Sequence, residues 1–375
     1  MIENVYIVSL LALSVVLFAT GALLLFLNVN DDPKLTAYRR ASRVVAFTYI
    51  FFGLINILEC LERQTSNSYD NALLFRIVTL VIASAQAFSF MFAMVVLVNT
   101  NYMTRKRAWQ EFSVVPAFIA IGIVSYLVLD ERATSVFAYV YIAFYFSQLI
   151  RYTLTFRKLY RRCISEMENW FSENEEDRLR WIYFSFHFAL GIGLVALVFA
   201  IFPYALFGLI TSLACLVFYV FFAIRFVNYV FVFNILEDVI TEEPDTDNND
   251  SSPEQLDNKT VAFLKRRISK WIAAKHYCVP GVTIKDLAYY LGTNTKYLSR
   301  YINDYEGKSF RNWIGALRIE EAQRMMRENP SCKIDTVIEA IGYANKSVFM
   351  LQFAKQTNMT PREWKISNIP LKKDF

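Results

Sequence analysis

The chain has 375 residues, of which 55% are hydrophobic, 16% aromatic and only 19% charged, with a net charge of +5. Ordinary soluble domains carry more charge and fewer aromatic rings, so one uniform soluble fold is excluded and two regions of different solvent preference are expected. The five cysteines, Cys60, Cys163, Cys215, Cys278 and Cys332, form no CxxC or Cys/His cluster, which argues against a disulfide framework, a structural zinc site or any other metal centre.

The first 224 residues read as a series of apolar helices. A membrane span needs about 20 apolar residues, and runs of that kind are expected at 5–27, 42–61, 73–98, 112–129, 133–152, 181–202 and 204–224. The first run lacks a basic flank and is too long for a secretory signal, so it is expected to be a retained helix. The second contains Glu59 close to its end, a charge that must sit near an interface or face the interior. From Trp181 to Ile224 no Asp, Glu, Lys or Arg occurs, and a single helix of that length would run about 66 Å. Pro203 lies near its middle and cannot donate to a helix ladder, so two spans joined by a turn are expected there.

Loop charge gives an independent check. Alternate loops hold 14 Lys and Arg residues against 3 in the others. By the positive-inside rule this pattern predicts seven spans, an outer N-terminus and a cytoplasmic C-terminus in a cell inner membrane. Glu59, Arg76, Gln86, Gln148 and His187 are the polar groups within or beside the spans. Snorkelling or hydrogen bonding inside the bundle accounts for them without a ligand.

After Ile224 the apolar spacing of three and four residues continues, so residues 225–257 are expected to hold a helical stalk followed by an acidic linker. The linker, "EEPDTDNNDSSPEQLD", has seven acidic residues, two prolines and no cation. Beyond it the balance reverses. Residues 258–375 contain 21 Lys and Arg against 10 Asp and Glu, a net +11, which suits a polyanionic partner.

The helix signals in this region repeat. Lys259–Tyr277 carries Val261, Leu264, Ile268 and Ile272 on one face. Thr283 and Asp286 form a capping box ahead of a short helix closed by Gly292. A second helix, from about Asn294 to Tyr305, packs through Tyr297, Leu298, Tyr301 and Ile302. After a long helix over Phe310–Arg327, about 27 Å in length, the pattern returns: Ile334–Ile341, a turn at Gly342, then Asn345–Gln356 with Val348, Phe349 and Phe353 inward. A rod of that length suits two recognition helices about one DNA turn, ~34 Å, apart.

The stretch "TIKDLAYYLGTNTKYLSRYINDYEGKSFRNWIGALRIEEAQRMM" resembles the first helix-turn-helix and linker helix of AraC/XylS-type DNA-binding domains. "IDTVIEAIGYANKSVFMLQFAKQTNMTPREW" resembles the second, keeping Gly342, Tyr343, Phe349, Phe353 and Thr360–Pro361. Ile338 and Leu351 depart from the family pattern, which implies weaker contact by the second unit. Membrane-fused members of that family form a bacterial class. The fold class expected is therefore all-α: a seven-helix transmembrane bundle (1–224), a stalk and linker (225–257), and a soluble domain with two helix-turn-helix units joined by a long helix (258–375).

Base edges are read from the exposed N-terminal side of each second helix. The candidates are Thr295, Lys296, Ser299 and Arg300, then Asn345, Lys346, Ser347 and Met350, with Arg300 suited to a guanine. Lys308 and Lys355 are candidate phosphate contacts. Expected partners are double-stranded DNA, the lipid bilayer, RNA polymerase, a second copy of the chain, and a small-molecule or membrane signal. The sequence contains no catalytic set, so neither an enzyme nor a cofactor is expected. The competing reading is a membrane transporter or receptor whose basic cytosolic tail binds lipid or a protein.

Overall fold

The computed structural model describes residues 2–27, 32–65, 72–128, 131–202, 204–233 and 258–368. Among these residues every regular element is a helix, apart from one isolated β-bridge between Phe171 and Thr283. Chain packing divides into two compact units, Met1–Cys163 with Arg178–Glu242, and Ile164–Asp177 with Glu243–Phe375. The acidic linker and the far end of the stalk lie outside the described residues, as does Pro203.

The first unit is built from α1 (Ile2–Phe26), α2 (Thr36–Thr65), α3 (Ala72–Val98), α4 (Arg105–Val128), α5 (Glu131–Trp170) as far as Cys163, α6 (Glu176–Ile201) from Arg178, and α7 (Ala205–Asn228). Among the described residues, five helices are long and apolar enough to cross a membrane; they cover Ile2–Phe26, Pro33–Arg63, Ile77–Val98, Glu176–Ile201 and Ala205–Asn228. Helices α4 and α5 stand where two further spans are expected. Helix α5 does not stop near residue 152. It runs on to Trp170 because Tyr152, Phe156, Leu159, Cys163 and Met167 are buried at helical spacing, giving the extension a continuous packing stripe.

Buried hydroxyls tie the first unit together. Tyr38 donates to the Phe226 carbonyl at 2.7 Å, and Tyr49 to that of Tyr219 at 3.1 Å. Ser9 and Ser212 pair at 2.7 Å between α1 and α7. Glu59 accepts from Tyr6 at 2.8 Å and from Arg63 at 3.0 Å. Gln86 donates to Tyr219, Gln148 to Tyr152 at 3.1 Å, and a ring nitrogen of His187 meets the Tyr183 carbonyl at 2.8 Å. Glu59, Gln86, Gln148 and His187, which stand out in the sequence, each thus have a hydrogen-bond partner within this unit.

The second unit contains α8 (Asn258–Ala273), α9 (Ile284–Leu291), α10 (Thr295–Tyr305), α11 (Phe310–Glu328), α12 (Ile334–Ala340), α13 (Lys346–Thr357) and α14 (Pro361–Asn368). Helix α8 ends four residues short of the expected Tyr277, because Lys275 takes a left-handed conformation at φ 57° and a 3-10 turn over His276–Cys278 follows. Helix α11 is the central rod. It buries Trp313, Ile314, Ile319, Ala322 and Met326, against which both neighbouring helix pairs are assembled.

Candidate DNA-binding surface

The first helix pair is fixed by local chemistry. Thr283 and Asp286 cap α9 reciprocally: the Thr283 hydroxyl accepts the Asp286 N–H at 3.2 Å, and Asp286 accepts the Thr283 N–H at 2.9 Å. Gly292, at φ 66°, ends α9, and the Thr293 N–H returns to the Ala288 carbonyl at 3.0 Å. Asn294 then caps α10 by accepting the Tyr297 N–H at 2.8 Å. Leu298, Tyr301 and Ile302 are buried, which fixes the rotation of α10 about its axis. Tyr297, expected to join them, instead stands 48% exposed, in the first turn of the helix one turn before Tyr301.

That rotation places the candidate base readers. Lys296 is exposed, and Thr295, Ser299 and Arg300 are half-buried. Thr295 with Ser299, and Lys296 with Arg300, lie one helical turn apart, so the four form two adjacent rows along the outer side of α10. Lys308, in the turn before α11, is exposed.

The second helix pair turns at Gly342. Its φ is 79°, and a Cβ there would lie 2.0 Å from the Cys278 carbonyl oxygen, so the position has no room for a side chain. The core beneath comprises Ile319, Ala322, Met326, Val337, Ile338, Ile341, Tyr343, Phe349, Phe353 and Trp364. Ile338, a departure from the family pattern, fills part of this core. Asn345 caps α13 through the Ser347 N–H at 2.8 Å, and Lys346 pairs with Asp335 at 2.6 Å. Ser347 and Lys355 are exposed. Met350 packs partly against the core, while the next residue, Leu351, is 73% exposed and faces outward on the same helix. The helix rotation set by buried Phe349 and Phe353 turns Leu351 outward, away from the inward residues of the sequence pattern.

Two charged groups of α11 organise the surrounding backbone. Arg318 is 1% exposed, donates to the carbonyls of Tyr277 and Val279 at 2.8 Å each, and lies over the Tyr343 ring. Burial lowers its pKa from the usual arginine value. It thereby fastens the turn after α8 against both the central rod and the second helix pair. Glu321 accepts from Arg324 at 2.7 and 2.9 Å and from Lys275 at 2.7 Å. The Arg324 hydrogen bonds, followed by those of Lys275, hold its carboxyl down at about 2 despite partial desolvation.

Comparison with known proteins bears on this half of the chain. Residues 287–366 match a family described as a helix-turn-helix domain. They begin inside α9 and take in the rest of the first helix pair, the rod and the second helix pair. Residues 287–366 are an AraC-type helix-turn-helix domain. The chain is also similar to a Bacillus subtilis (strain 168) protein described as an uncharacterized HTH-type transcriptional regulator, YobQ, with 41% identity over 81 residues. That match covers 22% of this chain and 33% of the relative. No solved structure matches the chain. The AraC-type domain supports DNA binding and transcription regulation, and the bonds of Lys275 to Glu321 and of Arg318 to the Tyr277 and Val279 carbonyls extend the folded unit upstream of the matched residues.

Proposed function

We propose that the chain is a membrane-embedded, sequence-specific transcriptional regulator that couples a signal at or in the membrane to promoter binding. The observation that carries this reading is the AraC-type domain at residues 287–366 on a segment of net +11, in a chain that also has five long apolar helices. The outward sides of those helices support lipid contact: Val8, Val15, Phe26, Phe47, Leu58 and Val217 are all more than half exposed. Seven spans, residues 1–224 as a bundle, an outer N-terminus and a cytoplasmic domain over 258–375 are the topology that fits the loop charges.

In this reading Thr295, Lys296, Ser299, Arg300, Asn345, Lys346, Ser347 and Met350 face base edges, and Lys308 and Lys355 hold phosphates. RNA polymerase, a second copy of the chain and an inducing signal complete the partners. No catalytic role is proposed.

Genome-wide mapping of DNA crosslinked to the tagged full-length protein tests the core of it. A discrete set of promoter sites is expected; uniform recovery of the chromosome would rule out sequence reading. Arg300→Ala sharpens the residue assignment. It is expected to cost about 1–3 kcal/mol on the proper site and to relax one base preference. Equal weakening on all DNA would move Arg300 to the phosphate group.

A further inference from the structure

Residues Ile164–Asp177 end α5 and lead into α6, yet they pack as part of the same compact unit as the AraC-type domain. The segment "ISEMENWFSENEED" has six carboxylates and no cation. Its attachment is specific. Phe171 forms an antiparallel bridge with Thr283, and the Ser172 N–H donates to the Val282 carbonyl at 3.2 Å. Glu173 accepts the Gly281 N–H at 3.0 Å. Arg311, whose side chain is only 16% exposed, donates to Glu168, to Glu176 at 3.3 Å and to Asn174 at 3.2 Å.

These contacts fall on the residues that open α9 and on the first turn of α11. In a helix-turn-helix the first helix crosses the DNA backbone. Association with DNA is driven largely by cations that displace counterions from phosphates. A docked strip of six carboxylates opposes that drive in two ways. It engages Arg311 and the Gly281 N–H directly, and within a Debye length of about 8–10 Å it weakens the positive field of the domain.

We propose that Ile164–Asp177 is an intramolecular acidic brake, docked on the starts of α9 and α11, that lowers the affinity of the AraC-type domain for DNA. This rests on the DNA-binding reading above. Because the segment is the covalent link between α5 and α6, a change in those two helices acts on the brake without passing through the acidic linker.

The test uses the full chain in lipid nanodiscs and a labelled mixed-sequence duplex at fixed ionic strength. The triple variant Glu168→Gln, Glu173→Gln, Glu176→Gln is expected to bind about ten-fold more tightly than the parent, the scale on which a few surface charges alter such an association. Arg311→Gln is expected to tighten binding as well, although it deletes a cation, because it releases the two carboxylates. Deuterium uptake at the Gly281–Thr283 amides should rise in both variants. If the parent binds the duplex and both variants bind no more tightly, with uptake unchanged, the brake is refuted while the DNA reading stands. If neither parent nor variants bind duplex at low salt, the DNA reading falls and the brake with it.

Discussion

The two units use the same secondary structure and present opposite surfaces. In the first, large apolar side chains stand outward, as Val8, Phe47 and Val217 do, while hydroxyls and carboxylates turn inward to partners on neighbouring helices. In the second, apolar side chains converge on α11 and most Lys, Arg, Asp and Glu stand on the outside, beside a few exposed apolar residues such as Tyr289 and Leu351. Helical propensity does not distinguish these regions; the side of the helix that carries the polar groups does. The contrast also sets what holds each unit together. Where apolar surface is the outside, burial of apolar area separates the folded from the unfolded helices less, and close packing and interhelical hydrogen bonds carry more of the association. Where water is outside, the core around Phe349, Phe353 and Trp364 carries it.

The contrast can be broken most sharply at Gly342. Gly342→Ala places a methyl group 2.0 Å from the Cys278 carbonyl oxygen and forces a side chain onto φ 79°. The second helix pair is expected to lose its packing, with a destabilisation above about 4 kcal/mol. Tryptophan fluorescence reporting on Trp364 should show an early transition for this pair while the first unit melts as in the parent.

Arg318→Met comes next. It leaves the Tyr277 carbonyl without its donor in a buried site and the Val279 carbonyl without its donor in a part-buried one, at an expected cost of about 1–3 kcal/mol. Thermal unfolding of the full chain, followed at the second unit, measures it. A near-neutral result would show that packing alone holds the turn after α8.

Acid titration gives a subtler difference. Glu321 has a folded-state pKa of about 2 because Arg324 and Lys275 bond its charged form. An unfolded glutamate titrates at about 4.3. A depressed carboxylate contributes stability above its unfolded value and loses it as pH falls through the folded one. The second unit should therefore lose stability as pH drops from about 4.3 toward about 2. Glu321→Gln should flatten that part of the melting-temperature curve.

The smallest effect is expected in the first unit. Tyr38→Phe removes the hydroxyl that donates to the Phe226 carbonyl, yet leaves the ring stacked on Phe226. Hydrogen bonds between helices in an apolar solvent average about 0.6 kcal/mol in double-mutant cycles, so a loss below about 1 kcal/mol is expected. Steric-trap or denaturant unfolding in bilayers measures it. A loss as large as that of Arg318→Met would mean that the two units do not differ in the way their surfaces suggest.

Much was legible from spacing alone. The apolar runs, the change in charge at residue 258, the capping box at Thr283–Asp286 and the glycines at 292 and 342 are local signals, and local hydrogen bonding or backbone geometry realises each of them. Single-residue exposure was less accessible. Tyr297 stands more exposed than periodicity suggests, because the rotation of a short helix depends on the few residues that reach the core.

The sequence by itself determined that the chain is helical, that its first part is apolar and its last part basic, and where the short helices of the AraC-type domain begin and end. Those are consequences of periodicity, caps and charge, which act over a few residues. Only the tertiary structure decided that Arg318 is buried against two carbonyls, that α5 runs on to Trp170, and that the acidic residues following it belong with the second unit. Those depend on partners more than a hundred positions away in the case of Glu173 and Gly281, and no local signal encodes so distant a neighbour.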